Sequence, residues 1–335
     1  MSKDVLYTNG IIAVREQSLL KDKILKLCEG SAEEAFRILS DSGFGKGAEA
    51  VSAHEYERLL SADEADLDEF IREYAPTNAE REYLLSPRDF HNAKAAVKAE
   101  YLKLSAEETA PLFAPDGIYT AEQIVSAVKN GDTSALNGEL AEAIKNAEEL
   151  FSENIENSET ETEKEVAGAE IGIIFDKALY SHLFKACRRN LFLKKCIAQK
   201  ADMLNILTAL RAQTPEYAEV NYVCGGNLKE KQLNSLFGEN GAINENALDG
   251  TSAEEFFRTC LKQKNAGLPM TEAERGLDSL ETRLLAEHRY ELKKTQPFLY
   301  YVFRRRAENA NLRIVFVCLL AGMEERQIKS RLREF

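Results

Sequence analysis

The chain is poor in the residues that most often mark a chemical centre. Its 335 residues contain no Trp, 7 Pro, 4 Met and 4 His. So few prolines leave long helices uninterrupted, because an internal Pro removes a backbone donor and clashes with the preceding turn. The six cysteines (Cys28, Cys187, Cys196, Cys224, Cys260 and Cys318) are scattered. They form no C-x-x-C pair and have no His at zinc-ligand spacing, so they read as small buried apolar residues in a reducing compartment. None of His54, His91, His182 and His288 has a Glu three positions before it, which removes the Glu-x-x-His signature of di-iron bundles. No G-x-S-x-G elbow occurs. No catalytic residue, metal ligand or cofactor site is therefore expected.

Long apolar runs are absent too. The longest, Ile314 to Met323, is about half of what a bilayer span needs. The opening MSKDVLYTNG has no apolar signal core. The expectation is a soluble protein whose membrane role, if any, runs through another protein. Positive charge is short as well, with a net charge of −13. That argues against nonspecific nucleic-acid binding, which needs cations to displace counterions from phosphates, and against broad adhesion to anionic lipid.

What is present is dense helical punctuation. Ser or Thr followed three residues on by Glu or Gln, the pattern of a capping box, occurs at Ser31/Glu34, Ser52/Glu55, Thr77/Glu80, Ser105/Glu108, Thr120/Gln123, Ser252/Glu255 and Thr271/Glu274. Thr214-Pro215 adds a cap with proline in the first turn. Leu136, Leu140, Ile144, Ala147 and Phe151 form one helical stripe. No segment alternates with period two over strand length. The expected fold class is all-α.

One pattern occurs three times: an acid, two spacers, an asparagine, then a helical stretch. The copies are Asp89/Asn92, Asp202/Asn205 and Glu308/Asn311. The asparagines are 113 and 106 positions apart (92 to 205, 205 to 311). A glycine follows each copy, then a Gln–aliphatic pair: Gly117 with Gln123-Ile124, Gly226 with Gln232-Leu233, and Gly322 with Gln327-Ile328. The period matches a small domain rather than a solenoid unit of about 20–50 residues. It predicts three helical domains, 1–131, 132–240 and 241–335. Each asparagine, a polar residue beside apolar neighbours, is expected to bond a neighbouring helix end or turn.

Other motifs carry less. Gly43-Phe44-Gly45-Lys46-Gly47 lacks the Ser/Thr and upstream glycine of a phosphate loop and reads as a plain loop. Asp63, Glu64, Asp66 and Asp68 could form a magnesium cluster, yet no second acidic motif matches them, and a solvated helix face is expected. Ser152 to Glu165, SENIENSETETEKE, is an exposed helical extension or mobile loop, a solvated spacer rather than a docking surface. The C-terminal region is basic, through Lys293, Lys294, Arg304, Arg305, Arg306, Arg313, Arg326, Lys329, Arg331 and Arg333, while 107–170 is acidic. Such polarity orients a protein between differently charged partners. Arg304, Arg305, Arg306, Arg326 and Lys329 are the candidates for a partner interface.

The run PFLYYVFRRRAENANLRIVFVCLLAGMEERQIKSRL resembles the C-type rotor component of bacterial V-type rotary ATPases (A-type in archaea), the d-type component of the vacuolar enzyme. The aromatic helix with Tyr300 and Tyr301, Asn311-Leu312-Arg313, Gly322 and Gln327-Ile328 carry the likeness. Phe175 to Tyr180 and the stretch from Asp202 to Arg211, followed by Gly225-Gly226, are similar to the family's middle segments. The resemblance implies three similar helical bundles around a pseudo-threefold axis, forming a funnel. It implies a non-catalytic central-stalk subunit on the cytoplasmic face of the membrane. There the funnel receives the shaft made of the D and F subunits and sits on the proteolipid ring, coupling ATP chemistry to proton or sodium transport. The residues alone also leave open a helical scaffold or adaptor unrelated to rotary ATPases.

Overall fold

The computed structural model describes all residues except 1–3, 19, 21–22, 156–160, 213, 239–240 and 334–335, and leaves out the side chains of 153–155 and 161–167. Among the described residues the secondary structure is helical, apart from one isolated bridge between Phe237 and Ile243. The first helices are α1 (Val5–Arg15), α2 (Lys23–Leu27), α3 (Ala32–Asp41) and α4 (Tyr56–Tyr74). Then come α5 (Asn78–Tyr101), α6 (Ala106–Thr109), α7 (Ala121–Asn130), α8 (Gly138–Ile155) and α9 (Glu161–Ala186). They are followed by α10 (Leu191–Arg211), α11 (Pro215–Asn221), α12 (Glu230–Asn234), α13 (Glu254–Asn265) and α14 (Thr271–Asp278). The last are α15 (Leu280–Ala286), α16 (Gln296–Leu320) and α17 (Glu325–Lys329). Among the described residues no helix is long and apolar enough to cross a membrane.

Several predicted caps form as their chemistry requires. Ser31 and Ser105 accept from the backbone N–H of Glu34 and Glu108, whose carboxylates accept from the serine N–H in return. Thr120 and Gln123 do the same, and Thr214 accepts from Tyr217 N–H. Others differ. Ser52 makes no side-chain cap, and α13 starts after Ala253, with Glu254 instead accepting from Gly250 N–H.

The chain divides into two compact units, residues 1–78 with 274–335, and residues 79–273. This differs from the division at 131 and 240 expected from the repeat. The reason lies in which faces are apolar. Helix α13 buries Phe257, Cys260 and Leu261 and packs on α10, so residues just beyond 240 belong with the second copy's long helix. Helix α16 packs instead on α1, α2, α3, α4 and α15. In that unit Leu39, Leu60, Leu312, Val315, Phe316 and Ile328 are fully buried in one core. Tyr56 stacks on Phe316 with centroids 4.9 Å apart.

The 79–273 unit is built on the antiparallel pair α8–α9 and on α10. Leu140, Ile144 and Ala147, the centre of the predicted stripe, are wholly buried against α5, α7 and α9 residues such as Phe90, Ile124 and Phe175. Burying a Leu or Ile contributes about 1.5–3 kcal/mol each, enough to hold helices whose intrinsic stability in water is marginal. The acidic stretch 152–165 falls at the ends of α8 and α9. Most of its side chains lie outside the described residues.

Candidate functional site

The three asparagines share one geometry. Asn92 Nδ2 donates to the Ala114 carbonyl (3.2 Å), and Ala114 N–H donates back to Asn92 Oδ1 (2.8 Å). Asn205 makes the same pair with Val223 (3.0 and 2.8 Å), and Asn311 with Arg333 (3.1 and 2.8 Å). Each carboxamide lies against the N–H and C=O of a single residue. An amide side chain suits this because it presents a donor and an acceptor side by side in one plane, where a carboxylate only accepts. All three carboxamides are at most 3 % exposed, so their own donor and acceptor are kept from water and are satisfied by these backbone groups.

The acids add a second tie. Asp89 accepts from Ile118 N–H (3.0 Å) and Tyr119 N–H (3.1 Å). Asp202 accepts from Leu228 N–H (2.9 Å) and Asn227 Nδ2 (2.9 Å). A Cβ added at Gly117 or Gly226 would overlap those carboxylates, so both turns need glycine for close approach. Burial pushes Asp89 up to about 6, helped by the charge of Glu82 and opposed by its two backbone bonds and His182.

In the third copy the register differs from the expectation. Gly322 has open space around it and φ +70°; it ends α16 in the left-handed turn closed by Met323 N–H to the Cys318 carbonyl. Its counterpart is Lys103, φ +53°, with Leu104 N–H to the Ala99 carbonyl. Both follow their asparagine by 11 positions (92 to 103, 311 to 322). The clamped residue follows by 22 positions in both copies, and by 18 in the second, about one helical turn less. Helix α17 therefore stands where α6 and α11 stand, between long helix and clamp, and Gln327-Ile328 is not the counterpart of Gln123-Ile124 or Gln232-Leu233. The spacing carried the signal: glycine follows asparagine by 25, 21 and 11 positions (92 to 117, 205 to 226, 311 to 322).

Glu308 also departs from the pattern. Its carboxylate accepts from Leu20 N–H (3.1 Å) and from Arg305 Nη1 (3.4 Å). Arg305, expected on a partner surface, is buried (6 % exposed), as is its second partner Asp63 (2 %). Arg305 Nε donates to Asp63 Oδ2 (2.9 Å), its Nη2 to Oδ1, and Asn309 Nδ2 adds a bond to Oδ2 (3.0 Å). Burial works against the guanidinium, yet the charges of Asp63 and Glu308 and the Asp63 bond hold its pKa above the usual range. The Arg305 guanidinium lies 5.0 Å over the Phe44 ring. This explains the glycine-rich loop. Gly45 must pass Leu59, where a Cβ would meet its Cα at 2.9 Å, so that Phe44 can enter the core.

The acidic run on α4 is likewise committed. Asp66 pairs with Arg15 and Lys46, and Glu64 with Arg313, which also grips Glu57 (2.9 and 3.0 Å). Among the described residues no group could hold a metal. Asp63 sits on the buried stripe of Leu60, Leu67 and Phe70, a placement visible in the helical spacing. Of the other interface candidates, Arg326 is exposed, Lys329 pairs with Glu325 (2.6 Å) and Glu29 (3.3 Å), and Arg304 and Arg306 are half-buried.

Replacing Asn205 with Ala removes both bonds to Val223. The expected cost is about 1–3 kcal/mol in urea unfolding, with the Val223 amide losing exchange protection. Arg305→Met strands Asp63 and Glu308 and should cost about 3–5 kcal/mol, part of which returns in the Asp63→Leu/Arg305→Met double variant, where Glu308 alone stays unpaired. Equal losses in single and double variants would show that Asp63 and Arg305 do not act as a unit.

A family model, the ATP synthase (C/AC39) subunit, matches residues 8–331. A search of curated proteins finds no match. The matched span takes in all three asparagine signatures and both compact units, and the chain belongs to the C/AC39 subunit family of V/A-type ATP synthases.

Proposed function

We propose that this chain is the non-catalytic coupling element of a rotary V/A-type ATPase. It receives the shaft made of the D and F subunits and passes torque to the proteolipid ring on the cytoplasmic face of the membrane. The observation that carries the reading is the family match over 8–331. The clamps support it. A coupling must resist twisting, and each signature ties a long helix to a segment 18 or 22 residues along by two bonds, to the N–H and the C=O of one residue. The repeated clamp also supports the reading of 1–131, 132–240 and 241–335 as three related helical segments, each carrying one signature. In this reading the signature residues hold the fold, and Arg326 and Lys329, on the outer face of α17, meet a partner.

The buried carboxylates of Asp63, Asp89, Asp202 and Glu308 are occupied by arginine, asparagine and backbone N–H donors, which suits a mechanical part. Deleting α17 would not test this, because Ile328 is core and Arg333 is the clamped residue. The test uses the assembled complex in vesicles. Without this chain, ATP hydrolysis should continue while ATP-driven ion transport is lost; Arg326→Glu should lower transport per ATP with folding unchanged. Undiminished transport without the chain, or its failure to copurify with shaft and ring, would sink the reading and favour an adaptor.

A further inference from the structure

Outside the clamps and the Arg305 network, charged groups also gather where α5, α8 and α9 meet. His182 on α9 is wedged between two carboxylates. Its Nε2 stands 3.0 Å from Glu82 Oε2 on α5, and its Nδ1 3.3 Å from Glu139 Oε2 on α8. Ser86 Oγ donates to Glu82 Oε2 (2.6 Å) and lies 3.3 Å from His182 Nε2. Lys185, one turn from His182, donates to Glu139 Oε1 (2.6 Å). The ring leans on Phe90 with centroids 5.7 Å apart. The imidazole is about nine-tenths buried.

The geometry selects one protonation state. An ionised carboxylate accepts and never donates. A neutral imidazole carries one N–H, so either tautomer would aim a lone pair at a carboxylate oxygen. Only the imidazolium donates to both. We infer that protonated His182 is a pH-operated latch that fastens the base of the α8–α9 hairpin to α5, and that the latch releases when the ring loses its proton.

The groups facing the ring agree. From α5 they are Glu82 and Asp89, from α8 Glu139, and from α9 Lys185. Burial disfavours the charged ring, but bonds to Glu82 and Glu139 and their charges outweigh it, so its pKa lies above 6.5. Lys185, with burial opposing and His182 assisting, keeps Glu139 below the ordinary carboxylate range. The sign follows from linkage. The native ring binds its proton more tightly than the unfolded one, so its stabilisation is complete below pH 6.5 and fades as pH rises through the native value. Release also removes a positive charge that favours ionised Asp89, so the Asp89 tie to the turn at Ile118–Tyr119 feels the same titration. The latch is independent of the coupling role.

The test is a proton NMR titration of the four histidines in the full chain, with amide exchange at both ends of the latch, residues 139–146 and 178–186, corrected for intrinsic base catalysis. The His182 ring should titrate above 6.5, and exchange protection there should fall about tenfold across that titration. Glu139→Gln should move both transitions to lower pH together, which a merely structural contact would not do. His182→Gln should show the weaker protection at every pH. A ring titrating at or below 6.5, protection in the wild-type protein that is flat with pH, or an unshifted transition in Glu139→Gln would overturn the latch. Should His182→Gln not fold, the wild-type and Glu139→Gln titrations still decide it.

Discussion

A carboxamide bonded to both the N–H and the C=O of one residue is the interaction on which this molecule depends. Single side-chain hydrogen bonds contribute only about 1 kcal/mol net, because water competes for both partners. Here the competition is weakened: Asn92, Asn205 and Asn311 are buried, and each makes two bonds to the residue it holds. Two bonds to one residue also fix direction. The held segment can neither slide along the helix nor rotate about it without breaking both. That ties the held segment firmly to its long helix.

The buried arginine sets a different constraint. Arg305 answers two carboxylates, Asp63 and Glu308, while Glu308 also holds the backbone of Leu20. Desolvating three charges costs several kcal/mol apiece, so the network is poor at adding net stability. It is good at specifying register: α16 can seat against α4 in only one position without stranding a charge. This also explains why the third signature differs from the others. Its acid is a glutamate, long enough to reach both Arg305 and the N-terminal segment, where Asp89 and Asp202 reach only the turn beside their own helix.

Much of the helical layout was legible because it depends on neighbours in sequence. Ser31, Ser105, Thr120 and Thr214 cap helices through bonds that span three residues, and the stripe through Leu140, Ile144 and Ala147 follows from helical periodicity alone. The signature asparagines were visible as a repeat. Their partners were not, since Ala114, Val223 and Arg333 share no side-chain chemistry and contribute only backbone. The equivalence drawn between Gly322 and Gly117 failed for a related reason: glycine serves close approach at one and left-handed backbone at the other, and the letter is the same. Asp63 was legible in part, for its position on an apolar stripe was plain while its charge argued for solvent.

The sequence by itself determined that this is a helical protein with a thrice-used acid–asparagine signature, and its C-terminal motifs pointed to the family it belongs to. Tertiary structure alone decided that residues 1–78 pack with 274–335, that Arg305 turns inward, and that His182 stands between two carboxylates from different helices. Capping and periodicity are local, fixed by residues within a turn or two of one another. The charge partners that join different helices in these clusters lie from 43 to 242 positions apart, so only the folded chain can say which acid meets which base.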